Sequence, residues 1–333
     1  MRPSTTDRDT ITRVSRLSFR ARRIIEGLRS GAHRSPYYGS SVEFAEHKEY
    51  TAGDDLRFID WKLFGKSDRY YVKRFEEETN LVAWLLVDQS ASMTYRSSGL
   101  PPLDIPWWQR LTRRVVRPPP SPEQVSDFGP HVPPGSKLAQ ASLLAACLGY
   151  LLVEQGDQVG LSTFGGGGQV VIPPRARPGH VQALMTALVD APQPGKADLD
   201  RALANFSPRL DQRGVVFVLS DLLEDSDRVF KAVKLLRTRR NDVILFHVLD
   251  NDELTFPFTD VARFQDPEDR SQELLTEPRE IRDAYLEELH TWLGQVRQRC
   301  RELEVDYVLV NTSDSLEDVL REHLMARRRG RSR

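Results

Sequence analysis

Five short runs punctuate the chain: LVAWLLVD (81–88), DQVGLSTF (157–164), GVVFVLSD (214–221), DVILFHVLD (242–250) and VDYVLVNT (305–312). Residues 81–87 and 214–219 are continuously apolar, as strands buried on both faces of a central parallel sheet must be. The segments between the runs carry the crossovers. KLAQASLLAACLGYLLVEQG (137–156) has a long helical pattern that stops at Gly156, and further helices are expected at about 178–190, 198–206, 227–240 and 279–303, with a last one after 312. GGGG (165–168) reads as a hairpin turn and QVVIPP (169–174) as the antiparallel strand it returns. Strands alternating with helices predict an α/β fold, a doubly wound and mainly parallel sheet of the Rossmann type with helices on both faces. Residues 251–278 show no clear period and are expected to be irregular.

The rest of the chain is arranged around that sheet. Residues 11–30 place Ile11, Val14, Leu17, Phe19, Ile24, Ile25 and Leu28 at the spacing of an amphipathic helix. We therefore expect a basic N-terminal helix at 1–35, a small β-rich element at 36–80, the α/β domain at 81–325 and a basic tail at 326–333. Residues 97–135 hold ten prolines together with Trp107 and Trp108, and read as an insertion in the α/β domain. The 47 basic and 48 acidic residues nearly cancel, which argues against a uniformly basic nucleic-acid binder. Charge is nonetheless concentrated at the ends, with a net of +6 over residues 1–35 and +5 over 321–333. Two cysteines, Cys147 and Cys300, both in helical stretches, exclude a disulfide framework. No stretch reaches about 18 apolar residues and no secretory leader opens the chain, so a cytoplasmic protein without a transmembrane segment is expected.

The residues that carry chemistry stand at strand ends. DQSAS (88–92) follows the first apolar run directly, and Asp221 closes the run 214–221 in the same way. Ligands of doubly wound sheets bind beyond the carboxyl ends of strands, where the strand order reverses. Neighbouring strands there would bring together Asp88, Ser90, Ser92 and Asp221, an oxygen-only set suited to Mg²⁺ or Mn²⁺. The plainer reading is that Asp and Ser merely cap turns at strand–helix junctions.

DQSASM, the helix KLAQASLLAACLGYLL, DQVGLSTF and VLSD together resemble a von Willebrand factor A-type domain. HRSPYYGSSVEFAEHKEYTAGDDLRFIDWKLFGKSDRYYVKRFEEETNL before it and LFHVLDNDELTFPF after it are similar to the bacterial domain-of-unknown-function family 58. The resemblance spans residues 11–325. It implies a von Willebrand A-like fold, a metal-ion-dependent adhesion site, and partnership with a MoxR-type AAA+ ATPase in assembling or maturing other proteins. Carried over residue by residue, Asp88, Ser90 and Ser92 match the adhesion motif and Asp221 the acidic position that follows the fourth strand. A Thr usually completes that set, but GKADLDRAL places Ala197 there, which weakens the site. Asp198 can reach the ion through water, or the Lys196 ammonium can stand in for it beside Asp88 or Asp221.

Other candidates are weaker. GDDLRFIDW groups Asp54, Asp55 and Asp60 with Arg57, and these read as structural ion pairs because no His or nucleophile accompanies them. GGGG lacks the GK[ST] ending of a phosphate loop, and the seven histidines form no HxxxH pair. The expected function is a non-enzymatic protein-interaction module using a degenerate adhesion site. The alternatives are a metal-dependent phosphoester hydrolase using Asp88 and Asp221, and a nucleic-acid or membrane-surface adaptor acting through Arg20, Arg22 and Arg23.

Overall fold

The computed structural model describes residues 5–30, 42–50, 59–67, 69–77, 81–97, 127–165, 168–190, 195, 198–239, 241–269 and 271–331. They form two compact units, one from residues 1–34 and 82–333 and one from 35–81.

The larger unit is built on a six-stranded sheet. Its strands are β3 (Val82–Asp88), β4 (Gln158–Phe164), β5 (Val170–Arg175), β6 (Gly214–Ser220), β7 (Asp242–Leu249) and β10 (Asp306–Asn311), in the order β10-β7-β6-β3-β4-β5. Only β5 runs antiparallel, against β4. The chain starts in the middle at β3, winds outward through β4 and β5, then returns to β6 on the other side of β3. This is a doubly wound, mainly parallel α/β sheet, and its order reverses between β3 and β6. The central strands are buried along their whole length, which is why their sequences are continuously apolar.

Side chains alternate between the two faces. Trp84, Leu86, Val216, Val218 and Leu245 pack with α5 (Leu199–Phe206), α6 (Ser226–Thr238) and α8 (Pro278–Glu302), with Trp84 edge-on to Phe206 at 4.8 Å. The opposite face is covered by α3 (Lys137–Glu154), with α4 (Pro178–Val189) beside it and α9 (Leu316–Arg331) contributing His323 edge-on to Phe246. Among the described residues α3 is the one helix long and apolar enough to cross a membrane, but it is the core helix here, 83% buried within the fold.

Helix α1 (Thr5–Ser30) packs within this unit, against α3, α4 and α9. Val14, Leu17, Ala21 and Ile25 are its buried stripe, while Ile11 and Phe19 remain exposed. Residues 326–331, expected as a tail, continue α9. The segment expected to be irregular holds a short helix, α7 (Asn251–Thr255), and an antiparallel pair, β8 (Ala262–Gln265) with β9 (Glu273–Thr276).

The smaller unit is an antiparallel pair, β1 (Val42–Glu49) and β2 (Tyr71–Glu77), with α2 (Trp61–Ser67) between them in sequence. Asp60 caps α2, its carboxylate accepting from the Leu63 N–H at 3.1 Å. Phe64 stacks on Tyr70 at 4.4 Å. Asp60 is thus structural, as expected; Asp54, Asp55 and Arg57 lie outside the described residues. So do Trp107 and Trp108 with most of the insertion, and Lys196 and Ala197.

Candidate functional site

The strand order brings the ends of β3 and β6 side by side, and the expected residues meet there. Asp88 closes β3 and is buried. One of its carboxylate oxygens accepts from the Ser90 N–H at 2.8 Å, the short-range bond that folds an Asx turn. The other accepts from the Ser220 hydroxyl at 2.6 Å. Ser220 is the last residue of β6, so this bond ties the two strand ends together. Beyond the turn, the Ser90 and Ser92 hydroxyls lie 3.0 Å apart, both nearly shielded from solvent.

Neighbouring segments hold the motif loop in place. The Gln89 N–H donates to the Phe164 carbonyl at the end of β4, and the Ala91 N–H to the Gly195 carbonyl. Gly165, the first glycine of GGGG, has φ +146° and sits so close to Gln89 that a Cβ would lie 2.5 Å from its carbonyl oxygen. The backbone contact therefore requires glycine there.

Asp221 follows β6. Its neighbour Leu222 occupies the left-handed region at φ 55°, a conformation costing about 1–2 kcal/mol for a non-glycine residue. The turn is held by burial of Leu222 and by its N–H donating to the Ser220 hydroxyl at 3.1 Å. Behind the turn, His247 of β7 donates from Nε2 to the Asp221 carbonyl at 2.9 Å, and Nδ1 accepts from the Tyr307 hydroxyl at 2.8 Å. Burial pushes the His247 pKa down to about 4, so the ring is neutral and serves as a support.

The residue that the sequence reading missed is Lys137, the first residue of α3 and fully buried. Its ammonium donates to Asp221 Oδ2 at 2.8 Å and to Glu253 Oε1 at 2.7 Å. Burial works against this charge, but the two carboxylates outweigh it and hold the pKa above the usual lysine value. Glu253 belongs to α7 and forms a capping box there, its other oxygen accepting from the Asp250 N–H at 2.7 Å. Asp250, buried at the end of β7, in turn accepts from the Ser97 N–H at 3.0 Å and from the Thr312 hydroxyl at 2.8 Å.

Asp88, Ser90, Ser92 and Asp221 are therefore assembled at the switch point. Asp198 has a carboxylate that is about half exposed and pairs with Arg201 at 3.1 Å. The ammonium on Asp221 comes from Lys137, whereas Lys196 lies outside the described residues. A sequence signal for Lys137 existed. It is a cation at the first turn of an apolar helix, where the helix dipole disfavours positive charge.

Electrostatically the cluster is unbalanced. Three buried or mostly buried carboxylates, Asp88, Asp221 and Glu253, face one ammonium. Desolvation and the nearby Asp221 push the Asp88 pKa up to about 7. A cluster with excess negative charge and two hydroxyls can take up a proton or a hard cation. The cation would be held by Ser90 and Ser92 with the carboxylates of Asp88 and Asp221.

The sequence matches the model of a family described as "Protein of unknown function DUF58" over residues 46–101 and 124–291. It is 23% identical over 312 residues to the uncharacterized proteins Rv1480 of Mycobacterium tuberculosis and Mb1516 of Mycobacterium bovis, covering 92% of this chain and 86% of each relative. Among solved structures it is similar to the conserved hypothetical protein BatB from Bacteroides thetaiotaomicron, with 15% identity, a TM-score of 0.42, and coverage of 75% of this chain and 99% of that one. It is also similar to the SpRpn10 VWA domain, with 13% identity, a TM-score of 0.36, and coverage of 73% and 94%.

Proposed function

The chain belongs to the DUF58 family, and we propose that it is a protein-interaction module whose strand-end site engages an acidic side chain of a partner through a divalent cation. The observation that carries this reading is the charge deficit of the buried cluster. With every group ionised, Asp88, Asp221, Glu253 and Lys137 leave two negative charges uncompensated in a desolvated place. One dication offsets that deficit, and an oxygen-only donor set suits Mg²⁺ or Mn²⁺. An ion held there by Asp88, Ser90, Ser92 and Asp221 would supply the positive charge that a partner carboxylate meets. Ser90 and Ser92 present the hydroxyls. Asp88, fixed by the Ser220 hydroxyl and the Ser90 N–H, supplies the charge on the β3 side. Lys137 already compensates part of Asp221, so an ion would compete there with a tethered cation.

The role we propose is not catalytic. The Ser90 hydroxyl faces another hydroxyl, and both nitrogens of His247 are engaged behind the site. Of the arginines offered for an adaptor role, Arg20 pairs with Asp127 at 3.2 Å and Arg22 with Glu26 at 2.8 Å, which lessens the charge they present. The proposed partner is a MoxR-like AAA+ ATPase acting on a client protein, and its support is the resemblance of the sequence motifs. The proposed compartment is the cytoplasm, which suits the two buried free thiols of Cys147 and Cys300.

The test has two steps. Mg²⁺ and Mn²⁺ are titrated by calorimetry into chelator-treated wild type and Asp88→Ala. Capture of a purified MoxR-like AAA+ ATPase from the same organism is then compared in cation and in chelator. Saturable cation binding that is lost in Asp88→Ala, with capture that follows it, is the expected result. Wild type that binds neither ion and captures the ATPase as well as Asp88→Ala does would sink the proposal.

A further inference from the structure

A cavity of about 570 Å³ lies between α1 and the turn that leads into α3. Arg13 and Arg16 line it from α1, Arg96 from the segment that follows the motif loop, and Phe128 with the proline-rich turn 129–134 forms the facing wall. We infer that this cavity binds a multivalent oxyanion, either a phosphate group or clustered carboxylates.

The first support is charge without a partner. No ion pair or side-chain hydrogen bond engages Arg13, Arg16 or Arg96 among the described residues. Several other arginines of this unit are committed, among them Arg20 to Asp127, Arg228 to Asp200, Arg237 to Glu304 and Arg321 to Asp318. Asp9 also lines the cavity, so the lining carries a net +2, the charge that a dianion neutralises. Guanidinium groups bind phosphate and carboxylate in a two-pronged fashion, which makes them selective for oxyanions over halides.

The second support is that these groups sit on fixed backbone. Arg13 and Arg16 are one turn apart on α1, and Val14, Leu17, Ala21 and Ile25 bury the adjoining stripe of that helix. The facing turn is pinned as well. The Gly129 N–H donates to the Val189 carbonyl at 2.8 Å, and the Ser136 N–H to the Pro133 carbonyl at 3.1 Å. Gly129 is packed so closely there that a Cβ would lie 2.9 Å from the Val189 oxygen. Phe128 and Val132 are buried beside it and give the cavity an apolar wall. Arg13 is half-buried against this wall, Arg16 and Arg96 reach the cavity from the exposed side, and the volume is that of an ordinary ligand site. The site has the opposite sign to the strand-end cluster and does not depend on cation binding there.

The test is calorimetric titration of pyrophosphate and, in a parallel arm, citrate into the full chain at low ionic strength. Saturable binding is expected, weakened about tenfold or more in Arg13→Gln/Arg16→Gln. Arg96→Gln, on a different element, is expected to weaken it as well. Arg22→Gln/Arg23→Gln removes the same charge from α1 outside the cavity and is expected to bind as wild type does. Tighter pyrophosphate than citrate identifies phosphate as the natural chemistry, and the reverse order identifies carboxylates. No saturable binding of either anion would overturn the inference. So would equal weakening in the two double variants, which would make the effect one of diffuse charge.

Discussion

Asp88 and Asp221 end neighbouring strands of one sheet and are equally buried, but they are compensated in different ways. Asp221 meets an ammonium, whereas Asp88 meets only neutral donors, a hydroxyl and a backbone N–H. Neutral hydrogen bonds satisfy the lone pairs of a buried carboxylate without cancelling its charge. The β6 side thus shares one ammonium between Asp221 and Glu253, and the β3 side has none. Two residues of the same type, a few ångströms into the same crevice, are left in different states. One is a structural ion pair, and the other is poised for a proton or a cation.

Removing the ammonium would break this contrast outright. Lys137→Met strands Asp221 and Glu253 without a cation, and we expect a loss of about 3–5 kcal/mol in urea unfolding with chelator present. Mn²⁺ should restore part of it. A loss under about 1 kcal/mol would mean that these carboxylates are solvated and that the contrast is false.

The second prediction works from the β3 side, through pH. The folded-state pKa of Asp88 is raised from 3.8 to about 7, so the folded protein keeps a proton that the unfolded chain gives up over that window. Stability from this group is therefore full at low pH and is lost as pH rises toward 7. Asn does not titrate. In chelator, Asp88→Asn should match wild type at pH 4 and exceed it at pH 8, by on the order of 2 kcal/mol. The same substitution should weaken Mn²⁺ binding. Identical pH profiles for the two proteins would show that Asp88 is ionised without strain.

The smallest effect is expected from Ser220→Ala. It removes the 2.6 Å bond that joins the two strand ends and should cost about 1 kcal/mol in thermal unfolding. It should also move the Asp88 titration further upward, a shift that a merely structural serine would not produce.

Legibility followed the physics of each segment. β3 and β6 were readable because a strand buried on both faces must be apolar throughout, and Asp88 and Asp221 were readable because they end those runs. The β8–β9 pair was not, because its side chains are mostly exposed and show no buried face to set a period. The five-residue helix α7 escaped for its brevity, although Asp250 and Glu253 spell a capping box. Lys137 was the larger loss. Its partners come from β6 and α7, far away in sequence, and only the assembled sheet brings them within 3 Å. Asp198 was named for its nearness in sequence to the expected ligand position, and its carboxylate pairs with Arg201 one turn away.

The bonds at Ser97 and Asp127 have a consequence for how this architecture can vary. Ser97 is fastened to Asp250 at the foot of β7, and Asp127 to Arg20 on α1, so the chain on either side of residues 98–126 is clamped to the body at two independent points. A change of length or sequence between Ser97 and Asp127 therefore begins and ends at anchored backbone and need not disturb the sheet.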